Sequence, residues 1–210
     1  MKGYITVERQ SEFRLVEKKS EFIGYCSPVT TEEEATAFVQ AIKKKHSDAR
    51  HNVYAYVLRE NNTSRFSDDG EPHGTAGMPV LDSIRKAGLT DTAVVVTRYF
   101  GGILLGTGGL VRAYTAAAVG AIGEARVAEV GVFSVYSLDL SYPDYQRVMP
   151  VISAFGGRTV DSDFGDRVHI RVMLANELGE KFSAEITGAT SGRTNAVFCE
   201  QKYDFLPKTD

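Results

Sequence analysis

Hydrophobic positions along this chain alternate between a period of two and a helical period, and the changes of rhythm mark its elements. From Val7 to Val29, two strand-like runs flank the polar Glu17-Lys18-Lys19-Ser20, which predicts a hairpin. Thr30 or Thr31 then precedes Glu32, Glu33 and Glu34, while Ala35, Phe38, Val39 and Ile42 share one face. That pattern is a capped amphipathic helix with acids in its first turn, ended between His46 and Arg50. Val53 to Leu58, apolar on both faces, reads as a central strand, and Glu60-Asn61-Asn62-Thr63-Ser64 as an exposed turn-rich loop. A short helix follows Pro79, turns Val80, Leu81 and Ile84 inward and stops near Gly88. Residues 92–97 are a β-branched run suited to a strand buried on both faces. Leu110, Tyr114, Ala117, Ala118, Ala121 and Ala125 then predict a long helix over 109–126.

After Arg126 the pattern restarts. Phe133 to Leu140 is strand-like, and Tyr145, Val148, Ile152 and Phe155 are spaced as a helix face that Gly156-Gly157 stops. A hairpin at Asp163 to Asp166 leads into the alternating Val168, Ile170, Val172 and Leu174. Leu178, Phe182, Ile186 and Ala189 mark another helix ending by Gly192, and Ala196 to Cys199 a last strand. The order β-α-β-β-α-β fits the ferredoxin-like split βαβ motif. The predicted domains are therefore residues 1–130 and 131–210, joined by a short boundary near 127–132.

Between the β-branched run and the long helix the chain breaks into glycine: five of the fifteen residues from Arg98 to Arg112. Gly101, Gly102, Gly106, Gly108 and Gly109 leave amides uncovered ahead of a helix N-terminus, with Arg98 and Arg112 as two fixed cations nearby, a plausible anion cradle. The named phosphate fingerprints fail, because no Gly-Lys-Ser/Thr follows and the third glycine of G-x-G-x-x-G would fall on Val111. The plainer alternative is a tight strand-to-helix turn with close backbone packing.

Composition narrows the field. The chain has 210 residues, 43% of them hydrophobic, enough for ordinary cores, and no apolar run approaches a membrane span. Its opening MKGYITVERQ lacks the apolar core of a signal peptide, so the cytoplasm is the expected compartment. The net charge of −3 falls on residues 132–210, with 16 basic and 16 acidic residues in 1–131, so any nucleic-acid contact needs a local patch. Candidates are Lys18/Lys19, Lys43-Lys44-Lys45, Arg50/His51, Arg98 and Arg112, although the lysine run also suits a solvated helix C-terminus. Cys26 and Cys199 form no C-x-x-C pair and both read as small core residues.

Ser67-Asp68-Asp69-Gly70-Glu71-Pro72-His73 gathers three carboxylates and an imidazole. It matches no calcium-loop or zinc spacing, and the favoured reading is an Asx-type turn leading into a Pro-initiated helix, ahead of polar or nucleic-acid contact and, last, a metal. Ser20, Ser67 and Thr107 lack a sequence-readable base and orienter, so no nucleophilic site is predicted. His51, between Arg50 and the central strand, is the better functional histidine, and packing or capping explains it about as well.

The run Arg98-Tyr99-Phe100-Gly101-Gly102-Ile103-Leu104-Leu105-Gly106 with Gly108-Gly109-Leu110-Val111-Arg112-Ala113-Tyr114 resembles the signature of the IMPACT/YigZ family. Lys18-Lys19-Ser20-Glu21-Phe22-Ile23, Asp48-Ala49-Arg50-His51, and Ser67 to Pro72 continuing into Gly74-Thr75-Ala76-Gly77 agree with it, and the length matches the bacterial two-domain form. The resemblance implies an α+β fold. Its first domain would be an α/β sandwich like the second domain of small-subunit ribosomal protein five. The small ferredoxin-like βαββαβ domain after it would resemble elongation-factor domains.

It further implies a translation-associated regulatory protein that binds RNA or a ribosome-associated protein, without membrane, metal, cofactor or catalytic site. Such relatives do not need histidine at the position of His73. Arg50, His51, Asp68, Asp69, Glu71, Arg98, Gly101, Gly102, Gly106 and Arg112 are the candidate ligand or nucleic-acid contacts. Two other readings stay open: a phosphate-ligand or nucleotide enzyme using the glycine loop with Asp68, Asp69 and Glu71, and a protein-interaction module without chemistry.

Overall fold

The computed structural model describes residues 2–206. Its α+β chain divides into two compact units, Tyr4–Glu129 and a second that joins residues 2–3 to 130–206. The first unit opens with β1(Tyr4–Val7), which Thr6 fastens by donating from Oγ1 to the Asp91 carbonyl at 3.1 Å. It then builds one antiparallel sheet from β2(Ser11–Glu17), β3(Ser20–Pro28), β4(His51–Val57), β5(Ser64–Ser67) and β6(Thr92–Tyr99), in the order β2-β3-β6-β4-β5. β6 is central, pairing Val95 with Tyr25 on one side and Tyr54 on the other.

That position explains the β-branched run. Ala93 and Val95 meet α1(Glu32–Lys45) through clusters holding Ala35, Val39, Ile42, Ile23 and Tyr25. Val94 and Val96 face α2(Gly77–Lys86) and α3(Gly106–Glu124), among Phe22, Val53, Val80, Ile84, Leu110 and Tyr114. Each face of the strand is a different core, so the run from Ala93 to Val96 is apolar without alternation. α1 starts as its sequence requires: Thr31 Oγ1 accepts from the Glu34 amide at 3.2 Å, and Glu34 Oε2 accepts back from the Thr30 amide at 2.7 Å.

Three boundaries differ from the sequence reading. A 3₁₀ turn at Glu60–Asn62 reverses the chain, so Ser64–Ser67 becomes an edge strand paired with Tyr54 to Val57 where no strand was expected. α2 begins at Gly77, two residues before Pro79, whose missing N–H lies in the first turn and costs no helical bond. α3 begins at Gly106 rather than 109.

The second unit takes β7(Val127–Leu140) from Val130 onward, then α4(Tyr142–Ala154), β8(Arg158–Phe164), β9(Val168–Ala175), α5(Gly179–Ala189) and β10(Val197–Phe205). Antiparallel pairing places the strands in the order β10-β7-β9-β8, the ferredoxin-like arrangement. Leu138, Leu140, Ile170, Val172 and Leu174 line the sheet's helix face and pack on Val148, Ile152, Phe182 and Ile186. Ser141 caps α4, and the buried Asp144 carboxylate receives Arg193 Nη2 at 2.7 Å. Hydrogen bonding from Arg193, then Ser141, holds that carboxyl far below its ordinary value.

The two cysteines part company. Cys26 is fully buried, whereas Cys199 is exposed, correcting its expected place in a core. It lies on edge strand β10 where the register slips between Phe198 and Glu200, so an apolar-looking run carries no buried face there. Among the described residues, no helix is long and apolar enough to cross a membrane.

Candidate functional site

β3, β6 and β4 bring Phe22, Arg98 and His51 into one row of the sheet. Arg98 is only 6% exposed. Its Nη1 donates to Glu71 Oε1 at 2.7 Å, Nη2 approaches Ser20 Oγ at 3.4 Å, and Nε is buried without a partner. The rings of Phe22 and Phe100 lie 5.5 and 5.4 Å from its guanidinium carbon. Tyr114 donates to the same Glu71 oxygen at 2.8 Å, and burial followed by the Glu71 charge pushes its phenol well above the ordinary value. One buried carboxylate thereby ties α3 and β6 to the acidic loop. His51 Nδ1 faces the Asp69 carbonyl at 2.9 Å, so Nδ1 carries the proton and Nε2 looks toward Glu71 Oε1 at 3.9 Å.

The acidic segment is consumed in the same way. Asp68 accepts from the amides of Gly74 at 2.9 Å, Ala76 at 3.1 Å and Gly77 at 2.8 Å, capping the start of α2. Burial raises its carboxyl, but these three amides outweigh it and leave the group below its usual value. Asp69 bridges Lys43 Nζ at 2.6 Å and the Asn52 amide at 2.7 Å. His73 projects into solvent, 3.6 Å from Asp68.

The glycine loop rests on the β2–β3 hairpin. Gly101 donates to Ser20 Oγ at 3.2 Å, and a β-carbon at Gly101 would overlap the Lys19 carbonyl. Lys18 and Lys19 turn with φ of 46° and 66°, the two-residue geometry that matches strand twist. Gly102 and Gly106, at φ of 82° and 71°, then steer the loop outward. Its tip presents Phe100 and Ile103, both partly uncovered, and Leu104, 82% exposed. α3 starts behind it with no side-chain cap and no acid in its first turn. Arg112 is solvent-exposed beside Gly108, and Arg50 is exposed just before β4.

The sequence candidates therefore separate. Arg98 and Glu71 come together inside the protein, with His51 and Asp69 half-buried beside them, and Asp68 caps α2 nearby. The expectation of Arg98 and Arg112 as two fixed cations at the loop is corrected, because Arg98 is buried and neutralised by Glu71. Ser20 and Tyr114 were missed as members of this network. Tyr114 left a sign in its hydroxyl on an otherwise apolar helix face, whereas Ser20 left none beyond ending the hairpin turn. The exposed Phe100, Ile103 and Leu104 were legible as apolar residues stranded in a glycine loop.

A model of the Impact N-terminal domain matches residues 18–122, and one of a domain of unknown function (DUF1949) matches residues 138–193. The IMPACT family member YvyE of Bacillus subtilis is 36% identical over 96% of this chain and 93% of its own. YigZ of Escherichia coli is 35% identical over 88% of this chain and 92% of its own. The rabbit (Oryctolagus cuniculus) Protein IMPACT is 32% identical over 44% of this chain and 30% of its own. A crystal structure described as that of an hypothetical protein superposes with a TM-score of 0.61 at 32% identity, covering 95% of this chain and 98% of that one.

Proposed function

This chain belongs to the IMPACT family, and on that premise we propose that it is a non-catalytic, translation-associated regulator that binds RNA or a ribosome-associated protein through its first unit, in the cytoplasm. The observation that carries the reading is the rim where the hairpin turn meets the glycine loop. Lys18 and Lys19 supply exposed cations, and Phe100, Ile103 and Leu104 supply uncovered apolar surface. Cations that meet phosphates, beside an aromatic ring on which a base can stack, suit an RNA single strand or loop. The absence of a basic surplus in residues 1–131 fits a weak contact made by few charges. Catalysis is disfavoured because the carboxylates and imidazole that would serve it are spent on amides, Lys43 and Arg98.

Co-sedimentation with ribosomal particles over a salt series tests this. Lys18→Glu with Lys19→Glu, and separately Leu104→Asp, should weaken sedimentation more than Lys44→Glu on α1. Equal losses would point to diffuse electrostatics. No association by the unaltered protein at low salt would overturn the reading and favour a protein-interaction module. Turnover of a nucleotide would favour phosphate chemistry at the glycine loop instead.

A further inference from the structure

We infer that the groove between α2 and α3 is a self-association surface, in which two copies of this chain pack their α2/α3 faces against each other about a two-fold axis perpendicular to these helices. This goes beyond the RNA reading and does not rest on it. α3 carries only Arg112 and Glu124 as charged residues in 19. One face is buried in the core through Leu110, Ala113, Tyr114, Ala117, Ala118 and Ala121. The opposite face is apolar as well: Val111 is 38% exposed and Val119 55%, with Thr115 between them at four-residue spacing. A helix apolar on both faces ordinarily has protein on both.

α2 runs alongside and turns Met78, Asp82 and Lys86 toward the same channel, also at four-residue spacing. The channel holds about 450 Å³.

Two properties single out a second copy as the occupant. The first is charge. Asp82 and Lys86 are the only charged residues lining the channel, so the lining is net neutral and offers nothing to a polyanion. They sit one helical turn apart, yet neither forms an ion pair among the described residues. A two-fold axis perpendicular to α2 runs that helix antiparallel to its copy, so Asp82 of each copy meets Lys86 of the other. The patch is thus self-complementary, as an isologous interface requires.

The second is shape. Val111, Thr115 and Val119 form one row of the four-residue ridges with which helices interdigitate, and the channel beside it can receive the same row from a copy. Ridge and groove lie side by side on one surface, so a single contact fills both.

Analytical ultracentrifugation of the full chain over a concentration series decides the matter. The unaltered protein should show a reversible monomer–dimer equilibrium, and Val119→Asp should leave it monomeric. Asp82→Lys and Lys86→Asp should each raise the dissociation constant about tenfold or more, and the two together should restore dimerisation. These are surface positions, so circular dichroism should show each variant folded. A monomer at every accessible concentration would overturn the inference. So would a dimer indifferent to these substitutions, or single losses that the double swap fails to repair.

Discussion

Arg98 and Glu71 share a hydrogen bond of 2.7 Å although each is less than a tenth exposed. A buried pair of this kind gains little over an apolar pair of the same size, but removing one member strands a charge. Arg98→Met should therefore destabilise the first unit by about 3–5 kcal/mol in urea unfolding. The double variant Arg98→Met with Glu71→Gln should lose much less than the sum of the single losses. A strictly additive cycle would show that the two residues do not stabilise each other. Any binding defect of an Arg98 variant must be read against this loss of folding.

Asp68→Ala removes the acceptor of three amides at the start of α2 and should cost about 1 kcal/mol, within a range of about 0.5–2. The folded carboxyl is held below its usual value, so its contribution is complete above the unfolded pKa of about 4. It is lost as pH falls through the lowered folded value. Stability measured from neutral pH downward should thus fall less steeply in Asp68→Ala than in the unaltered protein.

Gly101→Ala should cost about 1–3 kcal/mol, the range for forcing a methyl group into packed structure. The obstruction is backbone, the Lys19 carbonyl, and not a side chain that can rotate away. Gly123→Ala, where a β-carbon meets nothing within 4 Å, is the matched control and should be neutral or slightly stabilising.

Under native conditions a thiol reagent should modify Cys199 and spare Cys26. Burial pushes the Cys26 thiol up to about 12, so neither access nor thiolate is available until the unit unfolds. Mass spectrometry should show a single adduct per chain, rising to two in denaturant.

Much of this architecture was written in local pattern. β6 announced itself because both of its faces are core, and α1 because Thr31, Glu34 and the face of Ala35, Val39 and Ile42 agree with one another. β5 was invisible because Ser64–Ser67 takes its extended form from pairing with β4, and a four-residue polar edge has no period to display. The buried network was hidden for a different reason. Arg98 and Glu71 are 27 positions apart, and charged residues are exposed by default, so only the fold reveals that they neutralise each other.

Surface turns usually absorb inserted residues, since nothing is packed above them. The turn at Lys18-Lys19 cannot, because its carbonyl is the floor on which Gly101 sits, some eighty positions further along the chain. Hairpin and glycine loop are therefore locked to a common length. A residue added to either would lift the other, whereas Glu60–Asn62, exposed at all three positions, has room to grow. Peptide tags or circular-permutation breaks should accordingly be accepted at Asn61 and rejected at Lys19, a distinction that neither sequence composition nor solvent exposure of the two turns would draw.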